Sequence, residues 1–277
     1  MGWILVFMEN ISAISVGLGA FVGFMMALTG AGGGILSVPL LVFALNLTVA
    51  SAGPIGLLAI AIAGSLGAVI GLRARILRYR AAIVMAVLGV ILSPIGIYIA
   101  QRVPNTPLLI VFAALLSIVS MRMLLEAQNE IAGKRASSLP NPPCKLDQSI
   151  GRLIWSVPCA RSLMTAGAVA GFLSGLLGVG GGFIIVPALK KLTDLPMQSI
   201  VATSLGVLSM IAITGVASAA VSGHMQWSIA VPFAMGAVVG MVAGGLIAKR
   251  ISGPRIQQAF SIFTLFIAMS LFYKATL

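Results

Sequence analysis

The sequence has very few charged residues for its length. Only 8% of the 277 residues are charged and just five are acidic, whereas soluble domains carry about 25% charged residues. Hydrophobic residues make up 60% of the chain, and its mean hydropathy is +1.14. Water could not solvate the surface of such a chain. The composition therefore excludes a soluble domain and indicates an all-α membrane protein that crosses the bilayer several times.

Carboxylates and histidine are too scarce for the usual catalytic and metal sites. The acidic residues are Glu9, Glu126, Glu130, Asp147 and Asp194. None falls in the middle of an apolar run, and the single histidine, His224, lies in a predicted loop. A membrane hydrolase would need paired aspartates, a Ser–His pair or metal ligands within its spans. We therefore expect no enzyme activity, no metal and no cofactor.

Cysteine is nearly as rare. Cys144 and Cys159 lie in or beside the longest polar stretch, and their spacing matches no metal or redox motif. We expect two reduced thiols without a function of their own.

Positive charge is the one kind of charge that is present in excess. The chain has 17 Lys and Arg residues and a net charge of +12, which in a soluble protein would suggest nucleic-acid binding. The few aromatic residues and the lack of a basic soluble domain leave no surface for that, so we expect no nucleic-acid partner. In a membrane protein, Lys and Arg mark the cytoplasmic side.

Eight apolar runs are long enough to cross a bilayer, which takes about 20 residues. They cover roughly 14–29, 53–72, 81–100, 107–125, 162–177, 199–221, 228–248 and 256–273. Two shorter runs, 35–46 and 183–189, are too short to span. The lipid bilayer is therefore the first partner that the sequence implies.

One glycine-rich phrase occurs twice, 148 residues apart. Ten of the twenty positions from Gly23 to Val42 are identical to those from Gly171 to Lys190. The same offset pairs Gly96 with Gly244 and Phe112 with Phe260, among others, so the chain is an internal duplication. We expect a first transmembrane repeat at 1–125, a cytoplasmic linker at 126–161 and a second repeat at 162–277.

The distribution of Lys and Arg predicts how the two repeats are oriented. If each repeat had four full spans, both would point the same way, with 11 of these charges inside and 6 outside. If each glycine cluster is instead the tip of a hairpin, the repeats are inverted, 15 charges lie inside, and only Arg102 and Lys274 lie outside. The positive-inside rule favours the inverted arrangement, with both termini outside. Ten spans, with two complete spans per hairpin, would satisfy the count equally well, and the sequence leaves that alternative open.

The glycine clusters predict an anion site. A break in a helix within the membrane is tolerated only where the backbone is buried in protein or lines a cavity. Consecutive glycines allow positive φ and the close approach of a ligand. We expect a new helix to start after each cluster, with Pro39 and Pro187 in its first turn. Its positive end and free N–H groups suit an anion. By inverted symmetry the two helix ends would meet near the membrane midplane.

The predicted substrate-binding residues combine these glycines with nearby hydroxyl groups. They are Gly30, Gly32, Gly33, Gly34, Ser37, Gly178, Gly180, Gly181, Gly182, Thr203 and Ser204. Further polar residues near the tips are Thr29, Asn46, Ser51, Ser174 and Ser199, although membrane Ser and Thr often bond to their own helix backbone. Two other glycine groups, Gly17/Gly19/Gly23 and Gly240/Gly244/Gly245, are better explained by close helix packing.

The pattern Gly-x-Gly-Gly-Gly-x-x-x-x-Pro, present twice in an eight-segment chain of this length, resembles the TauE/SafE family of sulfite exporters. The resemblance covers nearly the whole chain. It implies a carrier for a small sulfur-containing anion, such as sulfite, a sulfonate or sulfoacetate, in a bacterial or archaeal plasma membrane. We expect a secondary transporter that works by alternating access, with an anion channel of the same architecture as the alternative. The sequence names neither the anion nor the direction of transport, and it leaves a homo-oligomer open.

Overall fold

The computed structural model describes residues 2–29, 33–132, 143–144, 146–147, 152–153, 155–248 and 253–276. Its helices are α1 (Gly2–Thr29), α2 (Ser37–Ala44), α3 (Val49–Arg73), α4 (Tyr79–Ala100), α5 (Asn105–Ile131), α6 (Val157–Leu177), α7 (Gly182–Leu192), α8 (Met197–Val221), α9 (Trp227–Ala248) and α10 (Gly253–Thr276). A 3-10 turn, Gly33–Leu36, leads into α2. Two-residue strands, β1 (Leu146–Asp147) and β2 (Arg152–Leu153), pair within the linker.

The predicted membrane class is confirmed. Eight of the helices are long and apolar enough to cross a bilayer, and each overlaps one of the predicted runs. The two short runs correspond to α2 and α7, of 8 and 11 residues. Helix α5 continues to Ile131 and α6 begins at Val157, so helical structure covers both ends of the range assigned to the linker.

Two parallel helix pairs form the tightest contacts of the fold. Helix α1 packs along α9, and α4 packs along α6. The contacting residues are Gly19 with Phe233, Gly23 with Ala237, Gly167 with Met85 and Gly175 with Ser93. At each of these glycines an added Cβ would overlap the backbone of the partner helix. Glycine therefore lets the backbones touch, which is how membrane helices pack closely.

The sequence predicts that the two groups of spaced glycines lie at close helix contacts, and this prediction is correct for four of the six glycines. Gly19, Gly23, Gly240 and Gly244 all face a neighbouring helix. An added Cβ at Gly17 or Gly245 would meet nothing within 4 Å, so the prediction was wrong there. Helical periodicity explains the difference, because at about 100° per residue Gly17 lies on the opposite face of α1 from Gly19, and Gly245 is turned about 100° from Gly244 in α9.

Two pairs of helices that the 148-residue offset relates, α3 with α8 and α5 with α10, run antiparallel to each other. Along α3 and α8, Gly64 lies beside Ser209 and Gly71 beside Ala202. Along α5 and α10, the Ser120 hydroxyl donates to Thr264 Oγ1 at 2.7 Å, and the Gln257 amide donates to the Met123 carbonyl at 3.3 Å. In both pairs, residue numbers rise along one helix as they fall along the other.

The contacts between the two halves have matching counterparts. The offset of 148 residues equates α1 with α6, α3 with α8, α4 with α9 and α5 with α10. If each helix is replaced by its equivalent in the other repeat, the contact of α1 with α9 becomes that of α6 with α4, and the contact of α4 with α8 becomes that of α9 with α3. All four of these helix–helix contacts are present. The duplication read from the sequence is thus also present in the packing.

The two cysteines are joined, and the prediction of reduced thiols was wrong. Cys144 and Cys159 form a disulfide with a Cα–Cα distance of 5.0 Å, and both are fully buried. The reason is that Cys144 docks beside the end of α7, where its N–H donates to the Leu192 carbonyl at 3.1 Å. This places it against the first turn of α6. Disulfides persist mainly in oxidising compartments, whereas the charge pattern predicts a cytoplasmic linker.

Candidate functional site

The second glycine cluster breaks the chain through left-handed backbone. Gly178, Gly180 and Gly181 have φ values of 70°, 74° and 66°, which residues with a side chain adopt only at a cost. Gly178 ends α6, and its N–H donates to the Ser174 carbonyl at 2.8 Å. Gly181 is the N-cap of α7, and no side chain caps this helix start. The expectation that glycine permits positive φ is therefore met in this half.

Of the first cluster, the structure describes Gly33 and Gly34. Gly30, Ala31 and Gly32 lie outside the described residues. The Gly33 N–H donates to Thr29 Oγ1 at 3.0 Å, and that hydroxyl donates to the Met25 carbonyl at 2.7 Å. An added Cβ at Gly33 would overlap the backbone of Met26. Glycine is thus needed at Gly33 for close approach, because the hairpin folds tightly back on α1.

The structure brings the described parts of the two tips together on α3. An added Cβ at Gly34 would lie 3.3 Å from the Val179 carbonyl oxygen. Both Gly34 and Gly180 face Ile60, because an added Cβ at either glycine would lie 2.9 Å or 2.8 Å, respectively, from the Ile60 Cδ1 atom. All of these residues are buried. Gly178 of the second tip also lies against α3, where Gly53 and Gly56 have no side chains that would block it.

The three predicted hydroxyl groups have other partners. Ser37 donates to the Gly34 carbonyl at 2.9 Å, within the first tip. Thr203 accepts from the Arg78 N–H at 3.1 Å, beyond the far end of α3. Ser204 donates to the Val201 carbonyl of its own helix at 2.9 Å. The structure therefore places Ser37 at the tips but does not bring Thr203 or Ser204 to them.

The two prolines also differ in position. Pro39 is the third residue of α2, within its first turn as expected. Pro187 is the sixth residue of α7, so the expectation of a first-turn proline was wrong there. The reason is that α7 begins on Gly182, the last glycine of its cluster, whereas the first hairpin inserts a 3-10 turn before α2. Proline inside a membrane helix is tolerated when neighbours satisfy the freed backbone.

A cavity of about 340 Å³ leads away from the second tip. We call it the α7 cavity. It begins at Gly182 and Phe183 in the first turn of α7 and also touches Thr29, the last residue of α1. At its other end it reaches Glu130 and Lys190. The start of α7 is therefore accessible from one side of the helix bundle.

A second cavity, of about 370 Å³, adjoins the first. We call it the loop cavity because the connection between α7 and α8 lines it, including Lys191 and Asp194. The two cavities share Glu126, Glu130, Lys190 and Met197. Lys190 Nζ lies 3.1 Å from Glu130 Oε1, so an ion pair stands where the cavities join.

Sequence reasoning missed this ion pair. It ended the fourth span near residue 125 and counted Lys190 only as a marker of the cytoplasmic side. The available signal was the spacing of Glu126 and Glu130, four residues apart with Ile131 following, which is compatible with a helix that continues past the membrane. The partner, 60 residues away, could not be identified from spacing.

Ser174 is a further residue of interest beside the second tip. It is fully buried, and its hydroxyl has no hydrogen-bond partner among the described residues. Its carbonyl accepts from Gly178, so it lies one turn before the break. A metal centre is not indicated, since the described residues contain no group of three or more His, Cys, Asp or Glu residues placed to hold an ion.

Comparison with known proteins gives the same assignment over nearly the whole chain. The family described as "Sulfite exporter TauE/SafE" matches residues 15–271. A "Probable membrane transporter protein" of Xylella fastidiosa (strain Temecula1) is 28% identical over 268 residues, covering 95% of each chain. The "Probable membrane transporter protein YunE" of Bacillus subtilis is 27% identical over 268 residues, covering 94% of this chain and 97% of its own. No solved structure matches this chain. The chain is a multi-pass membrane protein, and it belongs to the TauE/SafE sulfite exporter family.

Proposed function

We propose that this protein is a secondary transporter that carries a small sulfur-containing oxyanion across a bacterial or archaeal plasma membrane. The observation that carries the proposal is the start of α7. This helix begins at a buried glycine break that touches the first glycine tip, and its first turn opens into the α7 cavity. Membership of a sulfite exporter family and relatives described as membrane transporters support the same function.

The start of α7 has the properties of an anion site. The first N–H groups of a helix have no partner within it, and they carry the positive end of the helix dipole. No side chain caps α7, since its N-cap residue is Gly181. Within a membrane these N–H groups need an acceptor, and a sulfite or sulfonate group offers three oxygens. We therefore place the anion against Gly181 and Gly182, with Gly33 and Gly34 as the neighbouring wall.

We further propose that the two repeats are inverted in the membrane. The antiparallel packing of α3 on α8 and of α5 on α10 supports this, because a twofold axis in the membrane plane reverses each equivalent helix. The Lys and Arg tally supports it independently. In this arrangement the ion pair of Lys190 and Glu130 faces the cytoplasm, and Arg102 and Lys274 face outward.

Access to the site is unequal on its two sides. The α7 cavity provides about 340 Å³ towards the proposed cytoplasmic face. On the other side of the tip, the space beside Gly53, Gly175 and Gly178 measures about 10 Å³, which is about the size of one water molecule. A further cavity of about 340 Å³ adjoins this small space at Ile97 and Gln101, so the restriction on the outer side is confined to the surroundings of Gly178. Alternating access would require a state in which this restriction opens.

Flux measurements on reconstituted protein test the proposed function. We expect saturable uptake of at least one anion from a panel of sulfite, sulfate, sulfoacetate and taurine, accelerated by the same anion on the opposite side. Empty liposomes and liposomes with an unrelated membrane protein are the controls. Flux that neither saturates nor shows counter-transport would replace the carrier with an anion channel. Absence of flux for every sulfur anion would overturn the substrate class.

Thiol labelling tests the inverted topology. In a Cys144→Ser/Cys159→Ser background, we expect Val221→Cys to react with a membrane-impermeant maleimide in intact cells. Lys191→Cys should react only after the membrane is opened. Both positions are exposed in the structure, so accessibility within the protein is matched. Labelling of Lys191→Cys from outside would reverse the assignment of sides.

A further inference from the structure

Lys190 is placed to meet an anion before the anion reaches the tip. Its ammonium group lies at the junction of the α7 cavity and the loop cavity. Its side chain is 20% exposed, and that of Glu130 is 25% exposed. Both are therefore partly screened from water yet in contact with the cavities. Any solute that passes from the loop cavity into the α7 cavity passes this pair.

Helix α7 itself links Lys190 to the proposed site. Gly182 and Lys190 are eight residues apart in one helix, a distance of about 12 Å at 1.5 Å per residue. The α7 cavity follows the helix between them, along Val186 and Pro187. One end of the cavity thus offers helix N–H groups, and the other end offers a lysine.

The charges around the junction make the lysine necessary for an anion. The two cavities are lined by three acidic residues, Glu126, Glu130 and Asp194, and by two basic residues, Lys190 and Lys191. Their sum is a net charge of −1 (two positive, three negative), so the carboxylates at the junction locally disfavour an anion although the chain as a whole carries +12. In addition, the Glu130 carboxylate is already paired with the Lys190 ammonium group. An anion gains a favourable partner here only if it replaces the Glu130 carboxylate.

We propose that Lys190 is the cytoplasmic anion-recognition residue of this protein and that Glu130 is its exchangeable counter-ion. An incoming oxyanion with two or more oxygens takes the place of Glu130 on the ammonium group. The anion then moves along α7 to the glycine tip, and Glu130 pairs with Lys190 again behind it. This inference rests on the proposed function, because it assigns the access step of the same anion pathway.

Charge-matched variants separate a specific contact from the general electrostatic field. Lys190→Gln and Lys191→Gln remove the same charge one residue apart, and Lys191 lines only the loop cavity and has no ion-pair partner in the described part of the chain. With the anion added at the cytoplasmic face, we expect Lys190→Gln to raise KM about tenfold and Lys191→Gln less than twofold. Glu130→Gln should lower KM, because Lys190 is then free, whereas Asp194→Asn should have a smaller effect although it removes the same charge.

A cross-linking measurement tests the exchange without relying on transport. A carbodiimide activates a carboxylate, which an adjacent amine attacks to form an amide. At 3.1 Å, Lys190 and Glu130 should couple in purified protein, and mass spectrometry of the peptides would detect the bond. We expect saturating sulfite or sulfoacetate to reduce coupling at least threefold, whereas chloride at equal ionic strength should not.

The outcomes distinguish failure of this inference from failure of the proposed function. If no sulfur anion is carried by the wild-type protein or stabilises it against heating, the proposed function fails. If an anion is carried but Lys190→Gln and Lys191→Gln have equal KM values, Lys190 recognises nothing specific. If an anion binds but coupling of Lys190 to Glu130 is unchanged, the exchange is overturned.

Discussion

Replacement of Gly181 by alanine is expected to reduce anion flux at least tenfold. Two effects act together at this position. Its φ of 66° is costly for any residue with a Cβ, by about 1–2 kcal/mol. The added Cβ would also overlap the backbone carbonyl oxygen of Ala170 in α6, which cannot move aside like a flexible side chain. The start of α7 must therefore shift, and with it the N–H groups that we propose to hold the anion.

Gly223→Ala provides a matched control for the backbone strain alone. Gly223 has a φ of 71°, and an added Cβ there would meet nothing within 4 Å. It lies in the connection between α8 and α9, away from both tips. Flux per folded molecule should stay near the wild-type value in Gly223→Ala and fall in Gly181→Ala, with folding monitored by size-exclusion chromatography. Equal flux in the two variants would remove the α7 start from the transport site.

The hydrophobic spans and the duplication could be predicted because both can be recognised from the order of residues along the chain alone. Length and apolarity decide whether a segment can cross a bilayer, and a constant offset reveals a repeat without any knowledge of contacts. The disulfide and the pair of Lys190 with Glu130 could not be predicted in the same way. Both depend on where the linker and the end of α5 meet the end of α7, which spacing alone does not encode.

The repeat predicts two equivalent tips, and one difference in their sequences changes the hydrogen bonding of the described residues. Thr29 in the first repeat corresponds to Leu177 in the second. The Thr29 hydroxyl accepts a hydrogen bond from the Gly33 N–H, so a side chain bonds to the backbone of the first tip. Leu177 has no polar group, so the same bond cannot form in the second repeat, where left-handed Gly178 ends α6. One substitution between otherwise similar phrases thus removes a side-chain acceptor from the second tip.

This difference affects what each tip can contribute to binding. In the first tip the N–H of Gly33 is already bonded to Thr29, so fewer donors remain for a ligand. In the second tip no side chain occupies the N–H groups at the start of α7. The two half-helix ends were expected to meet near the membrane midplane and to hold one anion together. Helix α2 also starts without a side-chain cap, so the difference between the described parts of the tips is confined to the Gly33 N–H, which Thr29 already accepts.

Replacement of Gly23 by leucine is expected to destabilise the transmembrane bundle strongly. Gly23 contacts the backbone of Ala237, and an added Cβ alone would overlap it. A leucine would force α1 and α9 apart along a parallel contact that also involves Gly19 and Gly240. Overpacking of a rigid core typically costs about 1–3 kcal/mol, and backbone on both sides leaves little room to relax here. We expect a fall in melting temperature on the order of 10 °C.

Gly17→Leu is the matched control, because it makes the same substitution six residues earlier in α1. Gly17 is exposed, and an added Cβ there would meet nothing within 4 Å. Leucine favours helix over glycine, so this variant should melt at or slightly above the wild-type temperature. Thermal unfolding in detergent, followed by the fluorescence of a thiol-independent dye, measures both. Gly23 lies in the duplicated phrase but packs against α9. If Gly23→Leu greatly lowers the melting temperature while the protein that remains folded shows normal flux, this part of the phrase supports the fold, and only its tip binds the anion. Equal melting temperatures for the two variants would contradict the close contact of α1 with α9.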